Sequence, residues 1–269
     1  PRPLCGFLLV TNVMTAARGS VEKELPSECR AFLYMGTPPV GLENHSLQKI
    51  CQRYNSKARY VTLYDTTNHV PVYSAYVFKR SDGEKRVDVP WMYEPQLSTM
   101  SDTGDMQAFP RGYMHRNFED AQAVLDDYTN AVFYERGHLN PDEHQADPDD
   151  KASTYTLTNV VPQVREFSTG VWKVQEHIVR RRLNNYCRGT AYVVTGIVTS
   201  GNMIRRHNID RVAVPKYLWS SISSIQLFIH QVLELSVKKL EEFLQRSPFV
   251  DKNFQIFMDD CVQPPSALH

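Results

Sequence analysis

The chain has 269 residues, 42% hydrophobic and 22% charged, values that predict a globular protein with a substantial core and argue against a disordered one. Thirty basic and thirty acidic residues give a formal net charge of zero, which argues against a protein that coats nucleic acid over its whole surface. No apolar run reaches the roughly 18 residues needed to span a bilayer, so we expect no association with a membrane.

The N-terminal segment has the pattern of a secretion signal. Arg2 precedes an apolar run over residues 4–13, and small residues follow up to Ser20. This pattern predicts a shortened signal peptide over residues 1–19 and therefore a secreted protein, with a buried N-terminal strand as the alternative. We expect a single domain over residues 20–263 and a frayed tail over residues 264–269.

The predicted elements alternate between strands and helices along the chain. Turn residues predict loops over residues 20–45 and a long irregular excursion over residues 79–115, while residues 45–53 predict a short helix or a loop. Clusters of β-branched and aromatic residues predict strands, and periodic apolar residues predict helices. The strands are residues 60–65, 70–78, 131–134, 154–161, 191–199 and 212–219, and the helices are residues 118–125, 167–185 and 237–244.

Turns and caps connect these elements. Residues 66–69 separate the first two strands and predict a hairpin, and Gly201 with Asn202 predicts a turn after the strand at 191–199. Ser168 or Thr169 is expected to cap the helix that begins near residue 167. The chain is therefore predicted to be one α+β domain.

The sequence Glu-Arg-Gly-His at residues 135–138 contains groups suited to phosphodiester chemistry. A neutral imidazole at His138 can take a proton from water near neutral pH, and Arg136 can bind the phosphate as charge builds on it. Gly137 is expected to permit a tight turn after the strand. A polar surface pair is the alternative interpretation for His138 and Arg136.

The predicted helix after residue 167 carries two further polar candidates. Glu176 lies eight residues after Ser168, slightly more than two turns, so both side chains should point to nearly the same side, where such a pair can hold a hydrated divalent ion. The alternative for Glu176 is an exposed charge that pairs with Arg180. Asn159 is a candidate for orienting a side chain or a metal's water molecules, and an ordinary turn residue is its alternative.

Basic residues are concentrated between residues 164 and 188. Six arginines and lysines stand there against two glutamates. This local excess in a neutral protein fits an edge that binds phosphate, and it also fits a solvated helix end.

In order along the chain, four motifs resemble the signature of the DNA/RNA non-specific endonuclease family. They are Glu-Arg-Gly-His at 135–138, Thr-Asn-Val-Val-Pro-Gln at 158–163, Trp172 and Glu176. The family pattern is Asp-Arg-Gly-His, then Asn-(Val or Ile)-X-Pro-Gln, then Asn-X-X-X-Trp, then Glu. The similarity runs from about residue 29 to residue 261. It implies a mixed, largely antiparallel central sheet flanked by helices, with a ββα-metal (His-Me finger) active-site motif.

The resemblance also implies roles for individual residues. His138 aligns with the general base, Arg136 with the arginine that contacts phosphate, and Asn159 with a supporting active-site asparagine. Glu176 aligns with the glutamate that orients the metal's water molecules, and Arg180 with a substrate-side arginine. The implied cofactor is one magnesium or manganese ion, largely coordinated by water, and the implied partner is the backbone of DNA and RNA.

Two positions depart from the family pattern. Glu135 stands where the family has aspartate, a longer acid on the substrate side of the site, and Ser168 stands where the family places its metal-ligating asparagine. A serine side chain is shorter than that of asparagine, and its hydroxyl is less basic than an amide oxygen. Coordination of an ion by Ser168 can therefore be mediated by water or be lost. A metal-dependent, sequence-nonspecific nuclease, a nuclease-fold protein that binds without cutting, and an unrelated secreted binding module are therefore all compatible with the sequence.

The cysteines fit an oxidised, secreted chain. With Cys5 in the predicted signal segment, four cysteines remain, an even number. We favour pairs between Cys29 and Cys51, which are near in sequence, and between Cys187 and Cys261. Reduced, buried thiols in a cytosolic protein are the alternative.

Overall fold

A computed structural model describes residues 21–22, 24–42, 44–83, 87–98, 103–110, 117–129, 131–223, 236–247 and 250–258. The predicted signal segment at 1–19, the tail at 264–269 and Cys261 lie outside the described residues. Over the described part of the chain, none of the helices has the length and apolarity that crossing a membrane requires.

An antiparallel sheet of six strands forms the centre of the fold, with the strand order β1-β2-β3-β4-β9-β10. Two further antiparallel pairs, β5 with β6 and β7 with β8, lie outside it. The strands are β1 Val21–Glu22, β2 Leu47–Tyr54, β3 Lys57–Asp65, β4 Val70–Val77, β5 Met92–Tyr93, β6 Gln107–Ala108, β7 Tyr134–His138, β8 Val160–Val164, β9 Tyr192–Arg206 and β10 Ile209–Ile222.

Short helices join these strands, and one long helix follows β8. The α-helices are α1 Ser27–Arg30, α2 Pro95–Ser98, α3 Asn117–Ala121, α4 Leu125–Thr129, α5 Pro148–Ser153, α6 Arg165–Phe167, α7 Lys173–Tyr186 and α8 Val237–Leu244. Tyr34–Gly36, Asp142–His144 and Leu157–Asn159 form 3₁₀ turns, and Ser168–Trp172 forms a π-helical turn between α6 and α7. The α+β class and the helix at 237–244 are confirmed.

Several local predictions were wrong, each for a structural reason. Residues 45–53 lie mostly in β2, which β3 pairs along its whole length, rather than in a helix or loop. Gly201 does not turn the chain: β9 continues through it with a positive φ of 82° at an irregularity in its pairing with β10. The reversal comes instead at His207 and Asn208, both with positive φ, as a tight two-residue hairpin requires.

The two faces of the sheet are covered differently. One face packs Val61, Leu63 and Tyr73 against α1, α8 and the C-terminal segment at residues 250–258. The other face presents Tyr60 and Tyr76 toward α7. Because side chains alternate along a strand, this second face also carries Thr62 and Ser74, which are fully buried. A polar strip on the sheet therefore lies beneath the elements that follow β7.

A disulfide links α1 to β2. Cys29 and Cys51 are bonded, as expected, with Cα atoms 5.8 Å apart, and both side chains are buried in the core beneath α1. The second expected pair involves Cys261, outside the described residues. Cys187 is buried at the end of α7, where its thiol donates to the carbonyl oxygen of Gly189.

Candidate active site

The Glu-Arg-Gly-His motif forms strand β7 itself rather than a turn after a strand. Its residues pair with β8 in antiparallel register, Glu135 opposite Gln163 and Gly137 opposite Val161. Gly137 is needed for a different reason from the predicted turn, because a Cβ atom there would lie 2.0 Å from the Gln163 side-chain amide carbon. Because Gly137 has no side chain, the Gln163 side chain can pack against its backbone across the hairpin.

Arg136 and His138 lie two residues apart in β7 and so face the same side of the strand, where both contact Trp91. The His138 ring centroid lies 5.5 Å from that of Trp91 and 5.1 Å from that of Tyr155. The Arg136 guanidinium carbon lies 4.5 Å above the Trp91 ring, within the range of a cation–π contact. Two aromatic side chains therefore fix the orientation of the proposed base and the proposed phosphate ligand.

Trp91 and Tyr155 were missed by the sequence reasoning, which placed Trp91 in an irregular segment. Backbone contacts hold them together: the Met92 amide donates to the Tyr155 carbonyl oxygen at 2.9 Å, and Met92 bridges to Thr156. These contacts join residues more than 60 positions apart in sequence, and no local pattern predicts them.

Asn159 is a buried clamp behind the cleft. Its amide oxygen accepts hydrogen bonds from the Ser74 hydroxyl at 2.8 Å and the Asn140 backbone amide at 3.0 Å. Its amide nitrogen donates to the carbonyl oxygens of Asn140 and Thr154, each at 3.0 Å. Asn159 thereby ties the chain just after His138 to the polar strip of the sheet.

The wall opposite His138 comes from the π-helical turn and α7. Gly170 departs from helical geometry in this turn, and π-helical turns often occur at functional sites. The expected cap is absent: α6 begins after Val164 with no side-chain cap, and the Thr169 hydroxyl donates to the Arg165 carbonyl oxygen. Despite this interruption, Ser168 and Glu176 line the same cleft.

The Glu176 side chain is only 12% exposed and lies among like charges. Its pKa is raised to about 8, chiefly by burial; Lys173 acts in the opposite direction, and the negative charges of Glu143 and Asp142 add to the rise. The Lys173 ammonium lies 3.6 Å from the Glu176 carboxylate and 2.9 Å from that of Glu143. A cation is therefore favoured beside Glu176, and Lys173 supplies part of that charge.

His144 holds α7 against the sheet. Its Nε2 lies 3.0 Å from the Glu176 carbonyl oxygen, which can only accept, so Nε2 carries the proton and Nδ1 accepts from the Tyr76 hydroxyl at 2.8 Å. Burial lowers the pKa of His144 to about 4, so the ring is neutral at physiological pH. This histidine fixes the position of Glu176 through its backbone.

Arg180 is buried behind the helix rather than at the cleft surface. Its guanidinium lies 3.4 Å from the Glu143 carboxylate and donates to the carbonyl oxygens of Ser81 and Asp82. Glu135, by contrast, is at the cleft, where it pairs with Arg165 at 3.0 Å.

One cleft of about 930 Å³ brings together five of the seven residues singled out in the sequence. Asn159 and Arg180 stand behind it and hold its walls. The five that line the cleft are Glu135, Arg136, His138, Ser168 and Glu176.

The cleft offers few metal ligands. Among the described residues, no group of three or more His, Cys, Asp and Glu side chains is arranged to hold a metal ion. Ser168, Glu176 and Asp142 nevertheless line one cleft, and burial, together with the nearby Glu143 and Asp142 carboxylates, raises the pKa of Glu176. This donor set fits an ion such as magnesium, which keeps most of its water and takes one or two carboxylates.

Two comparisons by sequence agree on a family. The profile of the DNA/RNA non-specific endonuclease family matches residues 41–228, most of the chain. The human endonuclease domain-containing 1 protein is 32% identical over 210 residues, covering 71% of this chain and 38% of that protein. Its mouse counterpart is 26% identical over 275 residues, covering 96% of this chain and 52% of that protein. The chain therefore spans about half or less of the length of these relatives.

A comparison by structure finds a crystal structure of the EndoG/EndoGI complex, with a TM-score of 0.49, 22% identity and 74% of each chain covered. In the structure itself, strands β7 and β8 and the helix that follows form a ββα unit around the cleft. With the family profile matching more than half of its length, this chain belongs to the DNA/RNA non-specific endonuclease family.

Proposed function

We propose that the chain is a metal-dependent, sequence-nonspecific endonuclease that hydrolyses phosphodiester bonds of DNA and RNA. The observation that carries this proposal is the convergence of Arg136, His138, Ser168 and Glu176 on one cleft. A base, a phosphate ligand and a carboxylate beside a polar wall are the groups that hydrolysis of a charged backbone requires. Because such a protein contacts backbone phosphate rather than base edges, its cleavage does not depend on the base sequence of the substrate.

In this proposal His138 takes a proton from the attacking water. The rings of Trp91 and Tyr155 hold the imidazole in place for that step. Arg136 donates hydrogen bonds to a non-bridging phosphate oxygen as charge builds on it. Burial lowers the pKa of the Arg136 guanidinium, but an arginine remains protonated in proteins.

Ser168 and Glu176 would hold a hydrated magnesium or manganese ion between them. Such an ion supplies neutralising charge to the phosphate and to the leaving oxygen. Glu176 orients the surrounding water, and its backbone is held by His144. Asn159 and Arg180 contribute by holding the two walls of the cleft. We also propose that the protein is secreted, which the Cys29–Cys51 disulfide supports.

A second candidate is a nuclease-fold protein that binds nucleic acid, or a protein partner, without cutting. Ser168 in place of an amide ligand favours it, as does the Lys173 ammonium 3.6 Å from the Glu176 carboxylate. A lysine in that position competes with a metal ion for the same negative charge.

Cleavage of supercoiled plasmid and of single-stranded RNA separates the two candidates. The proposal predicts cutting of both substrates with magnesium or manganese, no cutting with chelator, and loss of cutting in His138→Ala. The matched control is His45→Ala, which removes an exposed histidine far along the chain from β7. Binding of both substrates by a folded protein that never cuts them would favour the second candidate.

A further inference from the structure

Exposed apolar side chains are concentrated in the part of the sequence that builds the cleft. Within the part of the chain that the structure describes, six of the thirteen exposed large apolar side chains fall between residues 132 and 174. This segment contains β7, β8 and the turn that builds the cleft wall. Apolar surface gathered in one place marks an interaction site more often than scattered apolar residues do. The six are Val132, Phe133, Val164, Phe167, Val171 and Val174.

Two of these side chains are aromatic and are attached directly to cleft elements. Phe133 is 77% exposed and immediately precedes β7, and its carbonyl oxygen accepts from the Arg165 backbone amide at 3.4 Å. Phe167 is 37% exposed and stacks on Trp172, a cleft residue, with ring centroids 5.8 Å apart and planes inclined by 24°. We call Phe133, Phe167 and Trp172 the aromatic rim.

Cationic groups lie in the same part of the sequence. Arg165 lines the cleft two residues before Phe167, and its 65% exposed side chain forms an ion pair with the partly exposed Glu135. Exposed ion pairs of this kind contribute little stability, so a phosphate can replace the carboxylate at small cost. Arg136 and Lys173 line the same cleft. Aromatic faces interleaved with cations match the chemistry of an unpaired nucleic-acid strand, whose bases and phosphates alternate.

We propose that the aromatic rim stacks unpaired bases of a single-stranded nucleic acid whose phosphates enter the cleft. This inference rests on the proposed function, which places the phosphates of the nucleic-acid strand in the cleft. It adds a preference for single-stranded substrate. A duplex keeps its base faces stacked on one another, so it offers the rim only sugar and phosphate. Unpaired bases of any sequence have a face to stack, so the preference does not depend on sequence.

Binding can be measured apart from cleavage. The experiment uses His138→Ala in the presence of chelator, with fluorescence anisotropy of labelled strands. The probes are a short oligothymidylate, a strand of the same length built from abasic residues, and a duplex of the same length. Each is titrated against three further variants in the same background: Phe133→Ala, Phe167→Ala and Phe133→Trp. Tyr186→Ala is the matched control, since it removes an exposed aromatic side chain from the far end of α7.

The proposal predicts that Phe133→Ala and Phe167→Ala each weaken oligothymidylate binding at least about fivefold, the lower end of what one base–aromatic stack contributes. Their binding of the abasic strand and of the duplex stays unchanged, Phe133→Trp retains tight oligothymidylate binding, and Tyr186→Ala binds like its parent. Equal losses on the abasic strand, or no loss on any probe, would overturn the proposal. So would sedimentation showing that the two phenylalanines hold two copies of the chain together while strand binding is unaffected.

The outcomes for the two proposals remain distinguishable. Base-dependent binding by a protein that never cleaves would contradict the proposed nuclease activity and support the proposed role of the aromatic rim. Metal-dependent cleavage by the unsubstituted protein, with oligothymidylate binding unchanged in Phe133→Ala and Phe167→Ala, would support the nuclease activity and contradict the role of the aromatic rim.

Discussion

The Gln163 side chain lies directly over the backbone of Gly137, in the space that a Cβ atom would occupy. We expect Gly137→Ala to lower the free energy of unfolding by about 1–3 kcal/mol, because the added methyl group overpacks the hairpin. Denaturant unfolding measures the change. Combining it with Gln163→Ala should recover part of the loss, since the two sites share one contact. Gly189→Ala is the control, since nothing lies within 4 Å of a Cβ atom there. Equal losses in the free energy of unfolding at both glycines would contradict the contact between Gly137 and Gln163.

Asn159 is predicted to act through the position of the chain after His138. Asn159→Ala leaves several buried donors and acceptors without partners, so we expect a loss of about 3 kcal/mol or more in the free energy of unfolding, with loss of cleavage. Thermal unfolding and a cleavage assay check both results. The exposed Asn185 provides the comparison, where substitution by alanine should change the unfolding free energy by less than about 0.5 kcal/mol. A stable Asn159→Ala protein would show that the clamp is not needed.

Ser168 is predicted to limit the binding of the metal ion. Ser168→Asn places a longer, more basic amide oxygen at the cleft wall, and we expect metal-dependent cleavage to rise at least about tenfold, as single site partners often change metal affinity by that amount. Rates over a series of magnesium concentrations measure the effect. Thr169→Asn, the same change one residue further along the cleft wall, should have no such effect. Unchanged metal dependence in Ser168→Asn would mean that the serine does not limit activity.

Glu176 is predicted to make stability depend on pH. Burial raises its pKa to about 8, against 4.5 for an ordinary glutamate, so between these values the folded protein keeps a proton that the unfolded chain releases. The free energy of unfolding therefore falls as pH rises through this window and levels off above about pH 8. Glu176→Gln should remove this contribution, so its stability relative to the parent protein should grow by a few kcal/mol from pH 5 to pH 8.

Denaturant unfolding at a series of pH values tests this difference between Glu176→Gln and its parent. The comparison cancels other groups, among them His144, whose lowered pKa makes stability rise between about pH 4 and pH 6.5. The matched control is Glu166→Gln, the same change at an exposed glutamate two residues before the π-helical turn, which should not reproduce this growth. A difference that is constant with pH would contradict the raised pKa of Glu176.

Local patterns in the sequence predicted the strands at 60–65 and 70–78, the helix at 237–244 and the order of the site residues. They failed where pairing between distant strands decides the outcome. The segment at 45–53 is a strand because β3 pairs with it, and Gly201 lies inside a strand because β10 continues beside it. The contribution of Trp91 to the site depends on a bridge between Met92 and Thr156, and Asn159 becomes a clamp because Ser74 lies beneath it. Such contacts leave no periodic signal.

The most direct test of the account is whether His138 serves as the base. His138→Ala should lower metal-dependent cleavage at least about 100-fold, the usual contribution of a positioned general base. It also leaves a space between Trp91 and Tyr155 that an added imidazole molecule can fill. We predict that imidazole restores part of the rate and that the restored rate rises with the fraction of neutral imidazole. Cleavage by His138→Ala at the parent rate, in a folded protein, would contradict the central claim.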